Sequence, residues 1–301
     1  MSGQGIQLSH KEFDVLVAME QSDKPLSQRR LEEATGHSLS TVSRVMKRLT
    51  EYGYVSGNKV TPKGLSALEP YRVKRAVFIA AGFGSRLVPI TLNTPKPLVR
   101  VNGRRMIDTL IDACLDAGIS EIYIVRGYLG EQFDQLLYKY PQIRFIENPS
   151  YNEANNISSA MAARYLFQNA YVLEADLLVF NPKVIQKYNY CSNVLGIWKE
   201  RTDDWCVTLK DGYVEEEKIG GLNCHQMVGI FYLNSEDGAR LAEDIKTAYE
   251  APGGKEMYWE TVLTQRFKGK YKIEVRPCRQ EDIVEIDTFR ELKMVDKTYD
   301  V

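Results

Sequence analysis

Between Ala80 and Pro97, small residues and positive charges are spaced as an anion site requires. In Ala80-Ala81-Gly82-Phe83-Gly84-Ser85-Arg86-Leu87 the small side chains at 80–82 and 84 let backbone N–H groups approach phosphate oxygens. Arg86, and Lys96 within Thr94-Pro95-Lys96-Pro97-Leu98, add fixed positive charge to the same place. No G-K-[ST] follows at Walker spacing, and the glycines do not complete a dinucleotide fingerprint. Ala80, Ala81, Gly82, Gly84, Ser85, Arg86 and Lys96 are therefore the candidate phosphate contacts.

Two acidic strings follow apolar runs. Glu174-Ala175-Asp176 ends Tyr171-Val172-Leu173, and Glu285-Ile286-Asp287 ends Ile283-Val284. Alternate residues of a strand share a face, so Glu174 and Asp176 are expected to share a site. Mg²⁺ takes one or two carboxylates together with substrate phosphates, which makes Asp176 and Asp287 the candidate metal pair. Asn155 or Asn156 is placed to cap the helix that follows, and Asn156 is also a candidate for positioning a ligand. Aromatic rings stand beside acids in Asp203-Asp204-Trp205 and Met257-Tyr258-Trp259-Glu260. Such a cage suits a quaternary ammonium, which has no hydrogen to donate, although large aromatics also fill cores.

These residues need a scaffold, and the chain from Val73 supplies one. Apolar runs at Ala76–Ala80, Ile122–Val125, Tyr171–Ala175, Val194–Trp198 and Val228–Tyr232 alternate with helical stretches at Met106–Ala117, Gly130–Tyr138 and Asn156–Phe167. That alternation predicts an α/β domain, doubly wound around a mostly parallel, Rossmann-like sheet, over residues 73–301. Ligands of such sheets bind beyond the carboxyl ends of the strands, where the candidate residues fall.

Residues 1–70 read differently. Helices are expected over Lys11–Glu20, Gln28–Thr35 after a Ser27 cap, and Thr41–Tyr52 after a Ser40 cap, followed by two short strands around Gly57-Asn58. This order, with S-x-x-T-V-S-R-V-M-K-R-L-T-E-Y-G-Y-V and the closing T-P-K-G, resembles a winged helix-turn-helix over Leu8–Ala67. The resemblance implies that Ser40, Thr41, Ser43, Arg44 and Lys47 face DNA. Acids and bases are nearly balanced over the segment, so a module kept for protein contacts is the competing reading.

Composition narrows the class. The formal net charge is -1, without the excess of bases expected of a protein coated for nucleic acid. No apolar run approaches the ~18 residues of a membrane span, and no secretory signal is visible. Five scattered cysteines without C-x-x-C point to a reduced, cytoplasmic protein.

The combined A-A-G-x-G-[ST]-R-L…T-P-K-P-L pattern resembles the sugar-phosphate and choline-phosphate nucleotidyltransferases. Over Val73 to about Val295 the chain looks like the bacterial CTP:phosphocholine cytidylyltransferases. Gly127-Tyr128-Leu129, Asn155-Asn156, Glu174-Ala175-Asp176, Asp204-Trp205, Tyr258-Trp259-Glu260 and Glu285-Ile286-Asp287 carry that likeness. The resemblance implies a Mg²⁺-dependent enzyme that joins CTP to phosphocholine and releases pyrophosphate. Arg86 and Lys96 would hold the triphosphate, Glu174 and Gly127 would border the nucleotide, and Asp176 and Asp287 would bind the metal. Trp205, Tyr258 and Trp259 would cage the choline, with Glu260 as counter-charge. Two departures matter: position 174 is Glu where relatives have Asp, and 157–159 is Ile-Ser-Ser where they place aromatics. The second opens the alternative of a smaller headgroup, phosphoethanolamine or 2-aminoethylphosphonate, with phosphocholine kept as the expected acceptor. A sugar-1-phosphate nucleotidyltransferase and a DNA-binding regulator that senses such ligands complete the alternatives.

Overall fold

The computed structural model describes residues 7–300 and divides into two units, Met1–Arg72 and Val73–Val301. In the first unit, helices α1 (His10–Glu20), α2 (Gln28–Thr35) and α3 (Leu39–Glu51) precede strands β1 (Val55–Ser56) and β2 (Lys59–Val60) and helix α4 (Pro62–Leu68). Ser27 caps α2 by accepting from the Arg30 N–H. Ser38, not Ser40, caps α3, because its hydroxyl reaches the Thr41 N–H and the helix starts at Leu39. The β1–β2 turn uses Asn58 and Gly57, both at positive φ. Val42, Val45, Met46 and Leu49 bury one face of α3, leaving Ser40, Ser43, Arg44 and Lys47 exposed and Thr41 half-exposed.

The second unit is built on a seven-stranded sheet. Its strands are β3 (Arg75–Ile79), β6 (Glu121–Arg126), β7 (Arg144–Glu147), β8 (Ala170–Glu174), β10 (Asn193–Lys210), β11 (Tyr213–Leu233) and β12 (Glu274–Pro277), in the order β10-β12-β11-β8-β3-β6-β7. Strands β8, β3, β6 and β7 run parallel, and β11 returns antiparallel against β8. The short ribbon β4 (Arg100–Val101) and β5 (Arg104–Arg105) leads into α5 (Met106–Asp116), which covers one sheet face. Helices α6 (Ile157–Ala163) and α7 (Ser235–Glu250) cover the other.

Three elements differ from the sequence expectations. Gly130–Tyr138 forms 3₁₀ turns rather than an α-helix, and the helix expected over 156–167 is α only over Ile157–Ala163. The strand expected over 194–198 extends to Lys210, and its partner begins at Tyr213. Together they form a long hairpin turning at Asp211-Gly212, both at positive φ. No helix among the described residues is long and apolar enough to cross a membrane.

A second ribbon places the acids. Strand β9 (Leu177–Val179) pairs antiparallel with β13 (Ile283–Glu285), Leu177 opposite Glu285. The Ile286 N–H donates to the Asp176 carbonyl at 3.2 Å, so the two acidic strings lie side by side. Leu87, Leu178 and Ile286 share one apolar cluster with Leu292 of the C-terminal helix α8 (Phe289–Val295). This burial ties the residue after Arg86 to the residue before Asp287.

Candidate active site

A cavity of about 350 Å³ opens beyond the carboxyl ends of β3 and β8, lined by Ala80–Arg86, Lys96, Asn156, Glu174, Asp176 and Asp287. All seven candidate phosphate contacts lie on its wall. Gly84 turns the loop at φ +61, and a Cβ there would stand 2.8 Å from the Lys96 Cβ. The backbone of the loop is thus seated against the stem of its lysine.

Lys96 is 8% exposed and closes an ion-pair cluster. Its Nζ donates to Asp176 Oδ2 at 2.6 Å and to Asp287 Oδ1 at 2.8 Å; an Arg86 guanidinium nitrogen reaches the same Asp287 oxygen at 2.9 Å. Burial works against the Lys96 ammonium, but Asp176 and Asp287 outweigh it and hold its pKa above the ordinary value. The Asp287 backbone is itself fixed, because its N–H and that of Thr288 both donate to Glu291 Oε2 at 2.8 Å.

The metal pair named from the sequence gains a third member. One oxygen each from Asp176, Glu285 and Asp287 lie within 4.8 Å of one another. Burial, then Asp176 and Asp287, push the Glu285 pKa well above the usual carboxylate range. Asp176 Oδ1 is buried without a hydrogen-bond partner among the described residues. A hard cation with oxygen ligands fits such a set. The E-x-D string held the signal for Glu285, but only the ribbon shows both of its acids turning to one place.

Glu174 lines the same cavity as Asp176, but the two carboxylates are held by different partners. Strand β8 ends at Glu174, and the chain bends before β9. Glu174 Oε1 instead accepts from Asn156 Nδ2 and from Trp259 Nε1, both at 3.3 Å. Asn156 occupies the N-cap position of α6 but makes no side-chain cap bond; its Oδ1 accepts from the Trp259 N–H at 2.9 Å. Burial, followed by Glu260 and Asp176, raises the Glu174 pKa well above normal, and burial foremost pushes Glu260 up to about 7. Glu260 Oε2 is buried without a hydrogen-bond partner among the described residues.

The aromatic set separates. Trp205 and Tyr258 meet edge to face at 5.7 Å, and Tyr258 is 41% exposed. Trp259 is 1% exposed and packs between Phe167 and Phe231, so its face is in the core and only its N–H looks toward Glu174. Gly127 sits behind the Tyr151 ring, since a Cβ there would lie 2.6 Å from it. Tyr151 and Phe83, 5.5 Å apart, form the cavity wall in front. Neither ring receives a role from the sequence, because nothing in their spacing marks them as neighbours.

A phosphate-cradling loop, a buried lysine and converging carboxylates at the switch point of a parallel sheet define a nucleotidyltransferase site. Known proteins agree. Residues 75–220 match the Nucleotidyl transferase family and residues 4–59 the MarR family. Over 228 residues the chain is 36% identical to the 2-aminoethylphosphonate cytidylyltransferase of Lancefieldella rimae, covering 74% of this chain and 92% of that protein. Over 225 residues it is 28% identical to the choline-phosphate cytidylyltransferase of Streptococcus pneumoniae, covering 74% and 97%. The solved structure of the CTP:phosphocholine cytidylyltransferase from Streptococcus pneumoniae superposes with a TM-score of 0.69, at 28% identity, covering 75% of this chain and 99% of that one. The chain belongs to the nucleotidyl transferase family, with a MarR-like winged helix domain preceding the transferase fold.

Proposed function

We propose that the protein is a cytidylyltransferase that joins CTP to a small phosphonate or phosphate bearing a primary amine, with 2-aminoethylphosphonate the foremost candidate. One observation carries the choice of headgroup. Glu174 accepts from Asn156, and Glu260 beside it leaves a buried carboxylate oxygen without a partner among the described residues, while Trp259, needed as the third wall of a choline cage, is in the core. A primary ammonium brings three donors to such oxygens, and a quaternary one brings none. The 36% identity to a 2-aminoethylphosphonate cytidylyltransferase supports the same reading. Phosphocholine is the second reading, favoured by the Trp205–Tyr258 pair.

The chemistry follows from the site. A phosphonate oxygen of the acceptor attacks the α-phosphorus of CTP in line, the P–O bond to the β-phosphate breaks, and pyrophosphate leaves toward Arg86 and Lys96. No side chain needs to form a bond to phosphorus, so alignment and charge neutralisation do the work. Asp176, Asp287 and Glu285 would hold Mg²⁺, which when bound offsets negative charge on the α-phosphate.

Pyrophosphate release, measured with four nucleoside triphosphates against 2-aminoethylphosphonate, phosphoethanolamine, phosphocholine and glucose 1-phosphate, tests this reading. CTP with 2-aminoethylphosphonate is expected to give the highest kcat/KM. A higher value with phosphocholine would return the headgroup to the aromatic pair, and release with a sugar phosphate alone would overturn the assignment.

The carboxylates add a pH signature. An ammonium binds ionised Glu174–Glu260 better than the protonated pair, so the acceptor KM should fall as the pH rises through about 7. Glu260→Gln should remove that component, leaving the titration of the substrate itself, which both proteins share. An unchanged profile in the variant would separate Glu260 from the headgroup.

For the winged helix we infer DNA contact. Across residues 29–63 seven bases (Arg29, Arg30, Arg44, Lys47, Arg48, Lys59, Lys63) face three acids (Glu32, Glu33, Glu51), a bias hidden in the balance of the whole segment. Arg44, Lys47 and Arg48 are the exposed bases of α3; Arg48 is engaged with Glu12 at 3.1 Å, and Lys47 lies 3.9 Å from Glu51. Fluorescence anisotropy with a labelled duplex should show binding that weakens with salt, and Arg44→Ala should lower the slope of log affinity on log salt by about one. Absence of binding at ~50 mM salt, where phosphate contacts are strong, would assign the module to protein contacts.

A further inference from the structure

The floor of the cavity holds three buried polar side chains that the reaction above does not use. Asn148, Ser158 and Ser159 line it and are 3%, 5% and 2% exposed. Their hydrogen bonds admit one direction only. The Ser150 N–H donates to Asn148 Oδ1 at 3.0 Å, which fixes the amide with its nitrogen toward the serines. Nδ2 then donates one hydrogen to Ser158 Oγ at 2.9 Å and the other to Ser159 Oγ at 3.0 Å. The Ser158 hydroxyl passes its own hydrogen to the Asn155 carbonyl at 2.8 Å. Ser159 Oγ therefore accepts from within the protein, and its O–H has no acceptor among the described residues. A buried hydroxyl hydrogen without an acceptor is costly, so a ligand is its natural partner.

The position of this donor narrows the ligand. Asn148 follows β7 at one edge of the sheet, whereas Trp205 stands on the hairpin beyond β8. The Tyr151 and Phe83 rings stand on the same cavity wall as the serines and offer apolar faces to a planar group. With the triphosphate on the loop, the heterocycle is the part of the nucleotide that reaches this floor. Cytosine presents acceptors at O2 and N3. Uracil keeps an acceptor at O2 but presents a donor at N3, so a hydroxyl locked as a donor separates the two bases where it faces N3.

We propose that Ser159, held as a fixed donor by Asn148, is the residue that selects a cytosine base over uracil. The proposal rests on the CTP reading above and names the side chain that enforces it.

The test compares kcat/KM for CTP and UTP, with one acceptor, in the wild-type protein, Ser159→Ala and Asn148→Asp, with thermal melts alongside. The wild type should favour CTP, and Ser159→Ala should lower the CTP/UTP ratio by about 10- to 100-fold. Asn148→Asp replaces the donating nitrogen with an oxygen, which draws the Ser159 hydrogen inward and turns a lone pair toward the base. UTP should then gain on CTP beyond the alanine result, an outcome that a purely structural role of Asn148 would not produce. If one variant does not fold, the other decides. A wild type that prefers CTP, with the ratio unchanged in a folded variant, overturns the role of Ser159 and leaves the CTP reading standing. A wild type indifferent to the base overturns both. An altered acceptor KM at a constant base ratio would move the floor to the acceptor and also end the proposal.

Discussion

Lys96→Met should abolish pyrophosphate release and lower the melting temperature at neutral pH, with the stability loss shrinking as the pH falls toward about 4, where carboxylates protonate. Methionine keeps the volume of the stem and removes the ammonium. Asp176, Glu285 and Asp287 then face one another within 4.8 Å without a counter-charge. Breaking a buried ion pair from one side costs about 3–5 kcal/mol, and the partial exposure of both aspartates places this case toward the lower end. The sign is set by two titrations. The raised Lys96 pKa contributes stability that is fully present below its unfolded value of 10.5 and is lost only as the pH rises through the folded value. In the variant, acid neutralises the carboxylates and relieves their repulsion, so the gap to the wild type narrows on the acid side. Mg²⁺ should raise the melting temperature of the variant more than that of the wild type, since a cation replaces what the lysine supplied. For turnover, loss of a charge aimed at the transferring phosphate lowers kcat/KM by at least ~10³-fold. Melts from pH 4 to 8 with and without Mg²⁺, beside single-turnover assays, check each part; a gap constant in pH would mean that Lys96 acts by packing alone.

The loop was the most legible part of the sequence because its chemistry is local. Small residues, Arg86 and Lys96 lie within 17 positions, from Ala80 to Lys96, and need only one turn to converge. The acids were legible as strings but not as a site. Strand periodicity put Glu174 beside Asp176, whereas a two-residue bend after β8 sent Glu174 to Asn156 and Trp259 and left Asp176 to Lys96. Trp259 shows the same limit, since a Tyr-Trp-Glu string does not say which ring packs inward; Phe167 and Phe231, 92 and 28 residues away, decide it. The hairpin beyond Trp198 was missed because its residues are largely polar, so apolar runs could not mark it; Asp211-Gly212 was the available sign. The joint role of Asn148, Ser158 and Ser159 was not legible; the sequence showed an Ile-Ser-Ser beside Asn155-Asn156 where relatives place aromatics. A hydrogen-bond direction is a property of contacts and has no signature in spacing.

Gly84→Ala should lose more than any other single methyl added to the loop. Gly84 sits at φ +61 and ψ 36, where a side chain costs roughly 1–2 kcal/mol. The new Cβ would also stand 2.8 Å from the Lys96 Cβ and 3.1 Å from the Thr91 Cγ2. The first of these is the root of the lysine rather than its flexible end, so the backbone itself must give way. The Gly84 carbonyl makes that difficult, because it accepts from the Thr91 hydroxyl at 2.8 Å and the Leu87 N–H at 2.9 Å. Displacement therefore passes to Lys96, and with it to the Asp176–Asp287 pair. A misplacement of about 1 Å at the reacting phosphate costs about 10²-fold in kcat/KM, which sets the upper end of the expected loss. The melting temperature should fall by about 3–8 °C. Gly82→Ala is the control: its Cβ would meet nothing within 4 Å, and its φ is not in the left-handed region. That variant should keep its melting temperature and weaken CTP through the approach of phosphate to the backbone alone. Equal thermal losses at 82 and 84 would show that the loop tolerates no methyl anywhere, and would remove the contact between Gly84 and Lys96 as the cause.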